Sequence, residues 1–294
     1  MSDLKQYLKS QADLIEKQLE ILLPERHGPY QQLYEAARYA ILGGGKRLRP
    51  ILALTTAKTL GSNTQEVLTS ACALEMIHSY SLIHDDLPCM DDDDFRRGKP
   101  SVHKKYSEGH AVLTGDFLLT YAFETLARDP HLSPDKKVKL IALLARQSGS
   151  DGMIGGQVMD IASEGKKISL DALRLLHRNK TGALITASVE FGGILADTSE
   201  HDLECLRQFG DNIGLAFQII DDILDVTSSE AKHGKKIASD VINEKTTFVT
   251  LMGIEQSQSY AMNLCQKATA SLKPLHHDIT LLTNLADYII HRKS

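Results

Sequence analysis

The sequence predicts an all-α protein that folds as a single large helical domain over residues 1–294. Three observations carry this prediction. Apolar residues recur at three- and four-residue spacing through most of the chain, the alternating pattern of β-strands is nearly absent, and the breaks between helical segments are short. None of these breaks resembles an interdomain linker, so we expect roughly ten to fourteen helices of ordinary length in one domain.

The helical segments follow one another along the chain. The first, residues 1–23, has spaced apolar residues interrupted by charges, which is typical of an amphipathic helix and not of a signal peptide. Residues 245–251 ("KTTFVTL") are ambiguous, and we interpret them as helix because the apolar pattern continues beyond them. The remaining helical segments are 30–42, 66–83, 111–127, 136–147, 182–196, 203–226 and 284–292.

Composition and charge narrow the classes of function. The formal net charge of −5 argues against a general nucleic-acid-binding protein, and no apolar run is long enough to span a membrane. The four cysteines are scattered without a C-x-x-C pair, which favours free thiols over a disulfide framework or a zinc site. We therefore expect a cytoplasmic protein with no nucleic-acid partner and no integral membrane association.

One acidic cluster lies in a strongly apolar helical stretch, "IGLAFQIIDDILDV". Asp221, Asp222 and Asp225 follow Gln218 by three, four and seven residues, which places all four on one side of a helix. A solvated acidic face is the ordinary interpretation of such a cluster. Here the rest of the helix is too apolar for a surface position, so partly buried carboxylates would need cations or metal ions as partners.

Another acidic cluster occurs earlier, in "HDDLPCMDDDDFRRGKP". Asp85 and Asp86 end an apolar helix, and the Leu-Pro pair after them is expected to turn the chain so that Asp91 returns beside them. The later aspartates of this run are also compatible with a solvated loop. Hard oxygen ligands without cysteine favour Mg²⁺, which accepts phosphate oxygens and water as further ligands, and the spacing of an EF-hand loop is absent.

Basic residues accompany both acidic clusters. Gly43, Gly44 and Gly45 precede one basic group, and glycines allow backbone N–H groups to approach an anion, although the P-loop pattern is absent. Each cation alone is more often a surface charge, but their recurrence predicts a phosphate-bearing substrate held together with Mg²⁺. The cations are Lys46, Arg47, Arg49, Arg96, Arg97, Lys180, Lys235, Lys236 and Lys245.

These motifs resemble those of the trans-isoprenyl diphosphate synthases, most closely the bacterial farnesyl diphosphate synthases. "DDLPCMDDDDFRRGKP" is similar to the first aspartate-rich motif of the family and "QDDILD" to the second, while "GGGKRLRP", "GGQVMDI" and "HRNKTGALI" occur in the family's order. The resemblance implies a helical bundle of the isoprenoid synthase type around a deep central cavity, as a homodimer. The implied reaction is head-to-tail condensation: an allylic diphosphate ionises, isopentenyl diphosphate attacks the carbocation, and a proton is lost.

The resemblance also implies three sets of site residues by position. The set implied to hold about three Mg²⁺ ions, or Mn²⁺ in their place, is Asp85, Asp86, Asp91, Asp221, Asp222 and Asp225, with Asp240 in support. The set implied for the allylic diphosphate is Arg96, Lys180, Lys235 and Lys245. The set implied for isopentenyl diphosphate is Gly45, Lys46, Arg49, His78 and Arg97.

The implied chemistry needs groups that stabilise charge, and it needs no side-chain base. Metal ions and basic side chains would stabilise the diphosphate as it leaves. Oxygen atoms of Thr181, Gln218 and the Lys180 backbone carbonyl would face the carbocation, and the departing diphosphate would accept the final proton. Gln157 and Asp160 are expected to orient Lys180.

Residues before Asp85 on the same helix are expected to line the path of the growing prenyl chain. Ser81 lies four residues back, about 6 Å along the helix axis, Tyr80 is its neighbour, and Met76 forms the next layer. A bulky side chain at the Tyr80 position is implied to stop the chain at the farnesyl length. Without the resemblance, Tyr80 would be interpreted as an ordinary core aromatic.

Four alternatives stay open at this point. A geranylgeranyl diphosphate synthase shares the same motifs and is the nearest one. A class I terpene cyclase ionises allylic diphosphates but needs no isopentenyl site, which Lys46, Arg49 and Arg97 indicate here. A non-catalytic subunit of a heteromeric synthase would usually have lost a metal motif. A magnesium phosphohydrolase would need a positioned water, which the apolar helices disfavour.

Overall fold

The computed structural model describes residues 2–233 and 245–292, and it forms two compact units, Met1–Ile141 and Ala142–Ser294. The N-terminal half of the described helices is α1 (Ser2–Leu22), α2 (Gln31–Ile41), α3 (Leu48–Thr59), α4 (Thr64–Asp85), α5 (Val102–Lys105), α6 (Glu108–Arg128) and α7 (Pro134–Ser148). The others are α8 (Met153–Ser163), α9 (Leu170–His177), a π-helical turn (Arg178–Gly182), α10 (Ala183–Leu195), α11 (Glu200–His233), α12 (Phe248–Ser271) and α13 (Thr280–His291).

The all-α prediction is confirmed, with a difference at residues 245–251. This stretch was expected to be helical throughout, but α12 begins only at Phe248. Thr247 caps the helix, because its side chain accepts a hydrogen bond from the Thr250 N–H at 3.1 Å and the Thr250 hydroxyl accepts one from the Thr247 N–H at 2.8 Å. Among residues 2–233 and 245–292, no helix has the length and hydrophobicity needed to cross a membrane.

The core of the N-terminal unit is built around α4, which is buried over most of its surface. Asn63 caps its start, because the Asn63 side chain accepts a hydrogen bond from the Gln65 N–H at 3.0 Å. A helix that is apolar on nearly every side belongs in the centre of a core. Since α4 ends at Asp85, this central element ends at the first acidic cluster.

Arg47 has a structural role in this unit. Its side chain is buried, and its guanidinium donates to Glu75 Oε1 at 2.7 Å, to Glu16 Oε2 at 2.6 Å and to the carbonyl of Ile41. The sequence pattern places Arg47 among the cations expected to bind phosphate. The structure corrects this expectation, because two carboxylates and a carbonyl already enclose the guanidinium and tie it to α1, α2 and α4.

A two-stranded antiparallel hairpin, β1 (Phe95–Arg96) and β2 (Lys99–Pro100), follows the first acidic cluster. The helical pattern did not predict it. Its turn residues, Arg97 and Gly98, have φ angles of +54° and +74°, as in the type I′ turns that match the twist of paired strands. The hairpin therefore presents Arg96 on β1 and Arg97 on a short turn of defined geometry.

Close contacts in the C-terminal unit depend on two glycines. A Cβ on Gly156 of α8 would lie 2.1 Å from the backbone nitrogen of Lys180, and a Cβ on Gly214 of α11 would lie 2.8 Å from the Cα of Gly182. Both helices thus pack directly on the backbone of the π-helical turn. Such wide turns often occur at functional sites, and this one carries Lys180 and Thr181.

Candidate active site

The first acidic cluster begins where α4 ends. Asp85 is the last residue of the helix, and the backbone N–H of Asp91 donates to the Asp85 carbonyl at 2.9 Å. The chain therefore turns at residues 86–91 and returns, as the Leu-Pro pair predicts. This return brings the backbones of Asp85 and Asp91, two of the aspartates that the resemblance assigns to metal binding, into contact.

Asp86 has a different environment from its neighbour. Its side chain is buried and accepts hydrogen bonds from Nε of Arg96 at 2.9 Å and from Nη2 of the same guanidinium. Nη2 also donates to Asp93 Oδ2 at 2.8 Å. Burial raises the pKa of Asp86, although the Arg96 charge opposes this effect. Asp86 thus holds in place one of the cations assigned to the diphosphate.

A three-residue group of possible metal ligands is present within the described part of the chain: ligand atoms of Asp92, Asp94 and His103 lie within 4.8 Å of one another. Asp92 and Asp94 are exposed, as expected for a solvated loop. Lys104 Nζ lies 2.8 Å from Asp94 Oδ1 and already supplies a positive charge. The aspartates of the implied metal set do not form a comparable group among residues 2–233 and 245–292.

The glycine-rich turn and the hairpin meet in the N-terminal unit. Arg97 donates to the carbonyl of Gly44 and packs so closely on Gly45 that a Cβ there would lie 2.7 Å from Arg97 Cζ. Burial lowers the pKa of His78, and the charges of Arg49 and Arg97 lower it further. His78 is therefore neutral in positively charged surroundings, which favour a bound anion.

A cavity lies between α2, α4 and the hairpin of this unit. It combines apolar side chains with the groups assigned to diphosphate binding. Its lining residues are Tyr39, Ala40, Gly43, Ser79, Leu82, Ile83, Asp86, Arg96, Arg97, Lys99, Pro100, Ser101 and Val102. Lys46 lies in the chain between Gly45 and the enclosed Arg47.

The residues assigned to product length all lie on α4: Met76, Tyr80 and Ser81. Tyr80 is 5% exposed, and its ring meets the His84 ring edge-on with centroids 5.8 Å apart. Met76 is fully buried, with its sulfur 3.7 Å from Thr125 Oγ1. Burial and the charge of Asp85 raise the pKa of Tyr80 to about 12. Tyr80 therefore stays a neutral, bulky aromatic residue.

The second acidic cluster lies on α11, and Asp221 has an unexpected partner there. Oδ1 of Asp221 lies 2.6 Å from Nη2 of Arg292. Arg292 is largely buried, donates to the carbonyl of Phe217 at 2.8 Å, and lies over the Phe217 ring at 3.7 Å. No sequence pattern predicts this contact, because a basic residue after an apolar helix is ordinary.

Asp222 faces the interior of the C-terminal unit. Its Oδ1 accepts a hydrogen bond from Gln218 Nε2 at 3.0 Å, and its Oδ2 accepts one from the Phe248 N–H at 2.9 Å. Thr181 Oγ1 donates in turn to Gln218 Oε1 at 3.0 Å. Burial raises the pKa of Asp222 to about 6, against the effect of its two donors. Asp222 thus links α11, α12 and the π-helical turn.

Asp225 completes the cluster one helical turn after Asp221. Its side chain is exposed overall. Local loss of water and the Asp221 charge raise the pKa of its carboxyl, and the Arg292 charge opposes them. Two carboxylates that repel each other in this way favour a cation between them.

Two lysines assigned to the allylic diphosphate converge on one carboxylate. Nζ of Lys180 lies 2.6 Å and Nζ of Lys245 lies 2.9 Å from the same Oδ2 of Asp160, which is buried. Burial opposes ionisation of Asp160, but the two ammonium groups outweigh it and lower its pKa. The Asp160–Lys180 contact agrees with the orienting role implied for Asp160, and the contact with Lys245 was not expected.

His177 is a neighbour of these groups that the motifs did not single out. Its ring stacks on Phe248 with centroids 5.6 Å apart, and neither ring nitrogen has a hydrogen-bond partner within the described residues. Burial lowers its pKa to about 4. His177 therefore adds a neutral, largely apolar wall. Lys235 and Asp240, two further members of the implied sets, lie outside the described residues.

Comparison with known proteins gives this geometry a context. Residues 30–279 match the family described as Polyprenyl synthetase. The chain belongs to this family. It is therefore a prenyltransferase that elongates prenyl diphosphates, with isopentenyl and allylic diphosphates as its substrate class.

Similar proteins carry names with products of different length. The farnesyl diphosphate synthase of Haemophilus influenzae is 45% identical over 264 residues, which cover 89% of each chain. The heterodimeric geranylgeranyl pyrophosphate synthase large subunit 1 of Arabidopsis thaliana is 42% identical over 299 residues, which cover 99% of this chain and 80% of that protein. A solved structure of an FPP/GFPP synthase from Zymomonas mobilis matches with a TM-score of 0.89 and 38% identity, covering 98% of this chain and 99% of that one.

Proposed function

We propose that this prenyltransferase condenses isopentenyl diphosphate with dimethylallyl diphosphate and then with geranyl diphosphate, and releases farnesyl diphosphate as its main product. The observation that carries the product length is Tyr80. Its buried ring lies on α4, five residues before Asp85, where the growing chain would pass. A smaller side chain there would leave room for a further isoprene unit.

The carboxylates fit Mg²⁺. Asp85, Asp91, Asp221 and Asp225 offer hard oxygen donors of the kind that Mg²⁺ and Mn²⁺ accept. Local loss of water and the charge of Asp221 both raise the pKa of Asp225, and the repulsion between the two carboxylates favours a bound cation. When bound, Mg²⁺ would stabilise the negative charge on the allylic diphosphate as its C–O bond breaks. Asp222, whose two oxygens accept hydrogen bonds within the protein, would support the other ligands.

Basic side chains would bind the allylic diphosphate. An ammonium group has three N–H donors. Asp160 accepts one hydrogen bond from Lys180 and one from Lys245. This contact aims both lysines in a fixed direction before substrate arrives. Arg96, held by Asp86, would add a planar pair of donors. These groups would stabilise the leaving diphosphate without having to reorganise during the reaction.

Isopentenyl diphosphate would bind in the N-terminal unit. Arg97 lies against Gly45, and its charge and that of Arg49 both act on His78. Lys46 would add a cation from the same turn. A neutral His78 would contribute a hydrogen bond and no further charge, so the guanidinium groups would supply most of the attraction for the diphosphate.

The carbocation would face oxygen atoms that cannot readily react with it. Thr181 donates its hydroxyl proton to Gln218, so the lone pairs of the Thr181 oxygen point away from that bond. The Lys180 carbonyl would add a second dipole. After the new C–C bond forms, the departing diphosphate would take a proton from the adjacent carbon, and the C–H electron pair would form the double bond.

We further propose that the protein is a homodimer, as the resemblance to the trans-isoprenyl diphosphate synthases implies, and that it acts in the cytoplasm, where its free thiols would stay reduced. The molar mass of the protein, measured by light scattering as it leaves a size-exclusion column, tests the homodimer. We expect twice the chain mass of 32.4 kDa, and the mass of one chain would contradict the dimer.

Product analysis tests the proposed reaction. The purified protein is incubated with labelled isopentenyl diphosphate and, in separate reactions, dimethylallyl, geranyl or farnesyl diphosphate, with Mg²⁺ or with EDTA. We expect farnesyl diphosphate from the two shorter starters, little elongation of the longest, and no turnover in EDTA. The second candidate function is that of a geranylgeranyl diphosphate synthase, which the name of the Arabidopsis relative supports. Geranylgeranyl diphosphate as the main product would favour it.

Tyr80 variants give this test a matched control. We expect Tyr80→Ala to shift the product toward geranylgeranyl diphosphate, because it removes the ring from the path of the chain. Tyr80→Phe should keep the farnesyl product, because the Tyr80 hydroxyl has no hydrogen-bond partner within the described residues. If Tyr80→Ala still stops at farnesyl diphosphate, another residue ends the chain.

A further inference from the structure

The product-length residues of α4 are in contact with α6. Met76, Tyr80 and His84 are four residues apart and form one stripe on α4. Both ends of the stripe touch α6: Thr125 Oγ1 lies 3.7 Å from the Met76 sulfur, and His84 Nε2 lies 3.0 Å from the carbonyl oxygen of Val112. Tyr80 lies between these two fixed points.

Gly115 of α6 leaves the space that His84 occupies. A Cβ on Gly115 would lie 2.0 Å from His84 Nε2 and 2.4 Å from His84 Cδ2. Atoms do not approach this closely without bonding, so any side chain at this position must displace the imidazole. Gly115 is not among the residues with positive φ, so alanine suits its backbone and only the space excludes it.

The imidazole of His84 in turn packs against the Tyr80 ring. The two rings meet at 76°, the edge-to-face arrangement that aromatic pairs prefer. Within the described residues the Tyr80 hydroxyl has no hydrogen-bond partner, so packing and not a hydrogen bond holds the ring. The His84 ring is therefore a packing contact against which the Tyr80 ring rests.

We propose that His84 and Gly115 determine product length together with Tyr80. His84, seated in the space at Gly115 and bonded to the Val112 carbonyl, holds the Tyr80 ring where it ends the prenyl chain. This inference rests on the proposed function, in which Tyr80 stops elongation. His84 and Gly115 are positioning residues that act through Tyr80. When the imidazole is displaced, Tyr80 turns aside and a further isoprene unit enters.

A double-mutant cycle tests this coupling. Gly115→Ala, His84→Ala and the double variant are assayed for the ratio of geranylgeranyl to farnesyl diphosphate, for total turnover and for thermal unfolding. Each single variant raises the ratio by about tenfold, the scale expected for one misplaced group in an apolar pocket. In the double variant the ratio equals that of His84→Ala alone, because alanine at position 115 no longer has an imidazole to displace.

Gly109→Ala is the matched control, because Gly109 lies on the same helix and a Cβ there would meet nothing within 4 Å. It leaves the ratio unchanged. A folded Gly115→Ala protein with the wild-type product ratio overturns the proposal. The proposal is also overturned if Gly115→Ala changes the product ratio by the same factor in the wild-type protein and in the His84→Ala protein.

If Gly115→Ala does not fold, His84→Asn decides the matter. This variant keeps a hydrogen-bond donor for Val112 but lacks the ring, so an unchanged ratio overturns the proposal. The wild-type assay is judged separately. Mainly geranylgeranyl product from the unmodified protein refutes the proposed farnesyl product, whereas the cycle reports whether His84 and Gly115 are coupled in setting the ratio.

Discussion

Asp221 and Asp222 are adjacent on α11, yet different groups surround their carboxylates. The Asp221 side chain is 35% exposed and pairs with Arg292. Asp222 is 6% exposed and accepts hydrogen bonds from Gln218 and from the Phe248 N–H. A metal ion can replace the Arg292 guanidinium at Asp221 by exchanging one cation for another. At Asp222 it would have to displace two hydrogen bonds, one of which joins α11 to α12, so Asp221 is better suited to metal binding.

The pKa of Asp222 gives a testable dependence of stability on pH. Burial raises it from the ordinary value of 3.8 to about 6. As pH rises, the carboxyl ionises first in the unfolded chain. The folded state therefore loses stability between about pH 4 and pH 6, and loses little more above about pH 6. A shift of about two pKa units corresponds to roughly 3 kcal/mol. We expect Asp222→Asn to lack this loss of stability. The free energy of unfolding is measured by urea unfolding in EDTA at about pH 4.5 and about pH 7, near the two ends of the titration.

Asp151→Asn serves as the control for this measurement. Asp151 is an exposed aspartate of the same unit, and its replacement should leave the pH dependence of the wild-type protein intact. Equal pH dependence in Asp222→Asn and the wild-type protein would mean that the Asp222 carboxyl does not titrate in this range.

At the scale of elements, the glycine turn before α3 and the β1–β2 hairpin position one guanidinium. Gly44 and Gly45 have φ angles of +91° and +133°, where side chains are strained. The Gly44 carbonyl accepts a hydrogen bond from Arg97, and the missing side chain of Gly45 leaves the space in which Arg97 lies. The turn thus accommodates a cation assigned to isopentenyl diphosphate.

Two alanine variants separate backbone strain from loss of this space. Both Gly44→Ala and Gly45→Ala strain the turn, but only Gly45→Ala places a Cβ against Arg97, since nothing lies within 4 Å of a Cβ on Gly44. We expect the KM of Gly45→Ala for isopentenyl diphosphate to be about tenfold higher than that of Gly44→Ala. A tenfold change corresponds to the loss of about one hydrogen bond to a charged group. Steady-state kinetics check this, and equal KM values would contradict the role of Arg97.

Helical periodicity predicted the elements that carry the site. It located α4 and α11 correctly because long apolar patterns of one period are strong signals, and the Leu-Pro pair correctly predicted the return of Asp91 toward Asp85. It missed the β1–β2 hairpin because strands of two residues contain no alternation. It also missed the start of α12 at Phe248, since the Thr247–Thr250 cap interrupts a pattern that looks continuous.

At the scale of the whole molecule, the contacts that sequence could not predict join residues far apart in the chain. Arg292 with Asp221, Lys245 with Asp160, and Arg47 with Glu16 and Glu75 each form once the helices pack. No local pattern records such pairs, because their spacing in the chain follows neither helical nor strand period. Charge alone therefore could not separate Arg47, which stabilises the fold, from the cations assigned to phosphate.

Arg47 also offers a test of the prediction that the chain is a single domain. Its side chain is fully buried and that of Glu75 is 2% exposed, so Arg47→Leu leaves the buried Glu75 carboxylate without its cation. Removing one partner of such a group costs about 3–5 kcal/mol. If residues 1–294 form one cooperative domain, both compact units lose that stability together, although the substitution lies in the N-terminal one.

Hydrogen exchange with mass spectrometry along a urea series measures this directly. In Arg47→Leu, peptides from residues 2–141 and from residues 142–233 should lose protection at the same, lower urea concentration. Arg128→Leu is the matched control, because the Arg128 side chain is 79% exposed and its loss should change the transition little. A transition that moves to lower urea in the N-terminal peptides alone would show that the two units unfold independently, and the single-domain prediction would then be wrong.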